Sequence, residues 1–207
     1  PGMKWTAASL ALALLAVGGA NAHAAGTLDL YKMVRSLQLV QDQLARGDHA
    51  AMPMQQKLLA LTDERFRTAS PQEFEDRRNL TALLVYAMSG GNPTTIEVVL
   101  SKLHLEGEDA VLGKGVLAYM TGRMVKAGEI LAPIDPMARG SETGAFVALV
   151  KGSITGIKHP EAALKLMDQA RLLAPGTLVE EAALRRSMPL VLALDRPDRF
   201  LVLAEQY

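Results

Sequence analysis

From Asp29 onward, apolar residues recur at three- and four-residue spacing, and glycine or proline breaks the rhythm at short intervals. Leu30, Met33, Val34, Leu37, Val40 and Leu44 share one face of a helix, with Lys32, Arg35, Gln38, Gln41 and Asp42 opposite. Gly47 has the backbone freedom that ends a helix, and Pro53 suits the first turn of the next. That second helix carries Met54, Leu58, Leu61 and the aliphatic stem of Arg65 on its apolar face. The stretch Asp29 to Leu61 therefore predicts a helical pair joined by the link Gly47-Asp48-His49.

The same devices repeat downstream. Ser70 with Glu73 forms a capping box around Pro71, predicting a helix with Phe74, Leu80, Leu83, Leu84, Ala87 and Met88 inside that stops at Ser89-Gly90-Gly91. The run Leu83-Leu84-Val85-Tyr86 reads as helix because it continues a capped 3.6-residue pattern. Asn92-Pro93 opens another helix, with Ile96, Val99, Leu100 and Leu103 on one face. Gly107 leads to Val111, Leu112, Val116, Tyr119 and Met120; a short helix from Met124 to Leu131 is closed by Pro133 and Pro136. Helices are expected from Thr143 to Ile157 and from Pro160 to Leu173, then from Thr177, with Pro189 kinking or ending that one. A last segment starts at Asp195-Pro197.

The fold class that follows is all-α: an antiparallel stack of helical hairpins, or α-solenoid. Val147, Val150, Ile154, Ala163, Met167, Ala170 and Pro175 follow the large and small order of a tetratricopeptide-like repeat, with Lys151 at the usual glycine position and Gly152 one place later.

The leader changes the expected compartment. Lys4, the apolar run Ala7 to Val17, and Ala20-Asn21-Ala22 or Ala22-His23-Ala24 compose a secretory signal peptide over residues 1–24, with Met3 as its start. At about 1.5 Å per residue the apolar run covers only about 17 Å, short of the roughly 30 Å hydrocarbon core of a bilayer. The expected mature part is one helical repeat-like domain over 25–207, not membrane-spanning after cleavage and continuing past Tyr207, because a stack requires a polar last repeat that this sequence lacks.

Composition mainly excludes. Lysine plus arginine and aspartate plus glutamate both number 22, so no basic field draws nucleic acid. Cysteine is absent, and His23, His49, His104 and His159 show no ligand spacing, so no metal or cofactor is expected. The carboxylates Glu73/Glu75/Asp76, Glu106/Glu108/Asp109 and Glu180/Glu181 stand at helix starts, where the dipole favours them, rather than as acid–base pairs. Gly113-Lys114-Gly115 and Ser89 to Thr95 lack the order of a phosphate loop, and the serines lack elbow glycines. The basic pairs Arg77-Arg78 and Arg185-Arg186 read as solvated faces or partner contacts. No catalytic residue is expected. Candidate partner-contacting residues are Lys32, Arg35 and Gln38 on the first helix and Arg46 and His49 at its link.

Three strings carry a family likeness: Met33 to Leu59 (MVRSLQLVQDQLARGDHAAMPMQQKLL), Arg78 to Thr95 (RNLTALLVYAMSGGNPTT) and Leu173 to Ser187 (LAPGTLVEEAALRRS). They resemble the chemotaxis protein MotC family of rhizobial and related α-proteobacteria, from about Leu28 to Tyr207. The resemblance implies an exported, non-enzymatic motility protein of the periplasm that acts on the periplasmic region of the stator protein MotB in flagellar rotation. Family members run longer than this chain. The alternative is a generic tetratricopeptide-like scaffold for envelope assembly; a soluble lytic transglycosylase would require a catalytic domain that is not visible here.

Overall fold

The computed structural model describes residues 28–139 and 142–206. The signal peptide expected over 1–24 lies outside the described residues. Among those residues, regular structure is helical throughout, in two compact units that meet in sequence at Leu103 and His104.

The first unit holds α1 (Leu30–Ala45), α2 (Met52–Thr68), α3 (Arg77–Met88) and α4 (Pro93–Leu103). Asp29 caps α1 by accepting from the Lys32 amide at 2.9 Å. The link to α2 includes a 3-10 turn at His49–Ala51, and Pro53 stands in the first turn as expected. Arg65, near the end of α2, donates to the Leu28 carbonyl just ahead of α1 at 3.0 Å, so the pair is antiparallel. Its core includes Met33, Val34, Leu37, Leu58, Phe66, Leu83, Tyr86 and Ile96. Phe66 stacks on Tyr86 at 5.1 Å and on Phe74 at 6.4 Å.

The helix expected from the Ser70 capping box resolves into two elements. The box forms, but over a 3-10 turn, Pro71–Glu75. Asp76 then adopts an extended backbone and caps α3 by accepting from the Arg78 amide at 2.9 Å. An Asp side chain competes with the helical bond pattern, and here it restarts the helix.

The glycine run after α3 has a packing reason. A Cβ on Gly91 would lie 2.7 Å from the Tyr86 ring and 2.9 Å from the Tyr86 carbonyl oxygen, and Gly90 has a φ of +91°. Burial, and then the charge of Asp63, hold the Tyr86 phenol above its usual pKa; its hydroxyl donates to Asp63 at 3.2 Å.

The second unit holds α5 (Gly107–Met120), α6 (Met124–Leu131), the short α7 (Pro136–Arg139), α8 (Glu142–Thr155), α9 (Pro160–Leu173), α10 (Leu178–Ala193) and α11 (Pro197–Gln206). α8 is its centre: Ala145 to Val150 are all buried, and it packs against α5, α6, α7, α9 and α10. A Cβ on Gly152 would sit 2.9 Å from the Met167 methyl and 3.2 Å from Leu166 Cβ, so glycine there lets α9 approach closely. Lys151, at the repeat's usual glycine position, reaches out to donate to the Ile134 carbonyl at 2.6 Å. Thr177 caps α10, which continues through Pro189 rather than ending there.

Candidate functional site

On α1 the structure separates the candidate partner residues. Lys32 and Arg35 are exposed one turn apart near its start, while Arg46 and His49 are exposed beyond its end. At about 1.5 Å per residue, the two groups stand roughly 20 Å apart along the helix. They form the ends of an edge rather than one cluster.

Gln38 departs from the expectation. It is fully buried, and so are its polar neighbours Ser36 and Asp42. α1 packs against both α2 and α3, so its buried arc is wider than its apolar stripe. Tyr31 beneath Arg78 at 4.6 Å and Gln41 donating to the Ser89 carbonyl at 2.6 Å mark α3 running alongside α1. Both polar side-chain atoms of Gln38 are buried without a hydrogen-bond partner among the described residues. Such a group costs about 1–3 kcal/mol. Gln38→Leu is therefore expected to stabilise the chain by about 1 kcal/mol in urea unfolding; a loss of stability would show that Gln38 has a partner there.

At the end of α2 a polar clasp borders a cavity of about 300 Å³. Arg65, 4% exposed, pairs with Glu73 through two bonds, Nη1 to Oε1 at 3.5 Å and a shorter one to Oε2. Glu73 also accepts from the Ser70 amide at 2.9 Å, and Asn79 donates to its carbonyl at 2.7 Å. The clasp ties the start of α1 to the turn before α3. Burial pushes the Glu73 carboxyl up, but Arg65 and the Ser70 amide together outweigh it, and its pKa lies below the usual 4.5. With the folded pKa depressed, this stabilisation is present above the unfolded value and is lost as pH falls through the folded one. Wild type is expected to lose more stability than Glu73→Gln as pH falls below about 4.5, measured by urea midpoints across that range; parallel curves would refute this.

The carboxylates at helix starts sit as expected. Glu108 and Asp109 occupy the first turn of α5, and Glu180 and Glu181 that of α10. Glu180 also accepts from the Gly176 amide at 2.6 Å. No group of three or more His, Cys, Asp or Glu among the described residues could hold a metal ion, and no described helix is long and apolar enough to cross a membrane.

In the second unit a cavity of about 290 Å³ opens between α5, α8, α9 and α10. Its lining includes the polar side chains Tyr119, Ser153 and Arg186 and the apolar Met167, Leu190 and Ile157. The Arg186 guanidinium donates to the Ala182 carbonyl at 3.4 Å and is hydrogen-bonded with Tyr119. Burial, the largest influence, and Arg185 lower its pKa, while Tyr119 raises it. The sequence places the stem of Arg65 on the apolar face of α2, but neither the burial of its guanidinium nor the half-buried position of Arg186 was legible from residue type. The available signal was position: Leu58, Thr62 and Arg65 share one stripe of α2, as Val179, Ala183 and Arg186 do on α10.

These features describe a helical protein whose recognisable sites are shaped surfaces and buried polar contacts. The family described as chemotaxis protein MotC matches residues 2–207, and the chain belongs to that family. The chemotaxis protein MotC of Rhizobium meliloti (strain 1021) is 41% identical over 194 residues, covering 93% of this chain and 44% of the relative. The chain thus spans less than half the length of that relative. No solved structure matches it.

Proposed function

We propose that this chain is a non-enzymatic periplasmic motility protein that binds the periplasmic region of the stator protein MotB and so supports flagellar rotation. Membership of the MotC family carries the reading. Residues 1–24 serve as its export signal, and the helices present a protein-binding surface that includes Lys32 and Arg35.

The arrangement of the last helices supports a tetratricopeptide-like stack as the framework. Arg196 pairs with Glu161 at 3.4 Å, Arg199 with Asp168, and Arg171 with Gln206, so α11 lies alongside α9 in the same direction. The first and last of these pairs each span 35 residues, close to one 34-residue repeat. Stacked repeats bury one another's apolar faces and leave extended surfaces for partners.

Deleting the gene in its host is expected to abolish swimming while flagellar filaments still assemble. Normal swimming, or loss of the filaments themselves, would contradict a role in rotation.

A further inference from the structure

The last helix presents different faces. Arg196, Arg199 and Gln206 fasten one side of α11 to α9 through Glu161, Asp168 and Arg171. Leu203 and Phe200 turn a second arc toward the core cluster with Leu164, Leu184 and Val191. Asp198, Leu201, Val202 and Glu205 follow the three- and four-residue helical spacing, so they share the remaining face, and all four are exposed. Leu201 is 64% and Val202 54% exposed. Single apolar side chains at a surface are ordinary; two adjacent ones framed by two carboxylates form a patterned face.

The charges point to what fits there. Among the described residues neither Asp198 nor Glu205 joins an ion pair. Asp198 stands in the first turn, where the helix dipole favours it. Glu205 stands in the last turn, which has no basic residue and where the dipole opposes a carboxylate. A cation from outside would offset that opposition. An anionic lipid surface would meet two negative charges, and a second copy of this face would bring the same two carboxylates.

We propose that this face of α11 docks an amphipathic helix of a protein partner that presents two adjacent apolar side chains between two lysines or arginines. Leu201 and Val202 supply the apolar area removed from water, and Asp198 and Glu205 select the sign of the flanking charges. A face of about two helical turns makes a small, rapidly exchanging contact. The face belongs to the second unit and does not involve Lys32 or Arg35, so its failure would leave the MotB reading standing.

The probe is a synthetic alanine-based helix carrying Lys-x-x-Leu-Val-x-x-Lys, titrated into the full chain and followed by amide NMR shifts at Leu201 and Val202. Saturable shifts are expected. The same helix with glutamates for its lysines, or with alanines for Leu-Val, should bind about tenfold more weakly. Leu201→Ser/Val202→Ser, at exposed positions, should weaken the lysine helix by a similar factor with circular dichroism unchanged. Glu205→Lys, which relieves the dipole opposition, should shift the preference toward the glutamate helix. Absence of saturable shifts, equal binding of the two charge patterns, or undiminished binding by Leu201→Ser/Val202→Ser would overturn the proposal. So would tighter binding to phosphatidylglycerol vesicles than to the peptide, or self-association that Leu201→Ser abolishes. In this cysteine-free sequence, resistance of Leu201→Cys to maleimide in the full-length monomer would overturn it too, by showing the protein's own chain over the face.

Discussion

Phe66→Ala is expected to cost about 3–5 kcal/mol of unfolding free energy, the largest effect of any single truncation in the first unit. Phe66 is completely buried. Its ring lies between Phe74, on the capping-box turn, and Tyr86, on α3, so one side chain joins α2 to both. Truncation removes the transfer free energy of the ring and leaves a hole whose lining is fixed by those neighbours. The ordering of Tyr86 against Gly91 limits how far the ring can move into that space. Urea unfolding followed by circular dichroism measures the loss. A decrease below about 1 kcal/mol would show that the aromatic cluster relaxes far more readily than a packed core does.

Glu73→Ala is expected to cost about 3 kcal/mol, because it leaves the Arg65 guanidinium buried with its carboxylate removed. Most of that cost belongs to the abandoned cation. Arg65→Met keeps the stem packed and leaves Glu73, a third exposed, to water, so it should be milder. The double variant Arg65→Met/Glu73→Ala should then be more stable than Glu73→Ala alone. A double-mutant cycle in urea reads this directly, and additive losses would show that the two side chains do not act together.

The local signals in the sequence were strong where a side chain acts on its own backbone. Asp29 and Thr177 cap the helices that follow them, and Pro53 and Pro160 occupy first turns as their fixed φ requires. Asp76, six residues after Ser70 and inside an otherwise helical pattern, reads as part of a continuing helix until its extended backbone is seen. The burial of Gln38 was not legible in the same way. It depends on α3 lying along α1, and nothing in the spacing of α1 reports a second neighbour.

The candidate site was legible only in part. Lys32, Arg35, Arg46 and His49 are exposed, as polar residues of a helix and its link should be, but their separation into two groups follows from the length of α1. The Arg186 cavity joins α5 to α10, and no local pattern connects Tyr119 with Arg186. Tertiary packing places a polar group where residue type alone reads as surface.

The most direct measurement of MotB binding is titration of the purified periplasmic region of MotB into the full-length protein, with Lys32→Glu/Arg35→Glu as the matched variant. Saturable binding is expected, weakened at least tenfold by the double charge reversal, equivalent to about 1.4 kcal/mol. Absence of binding by the intact protein would contradict it.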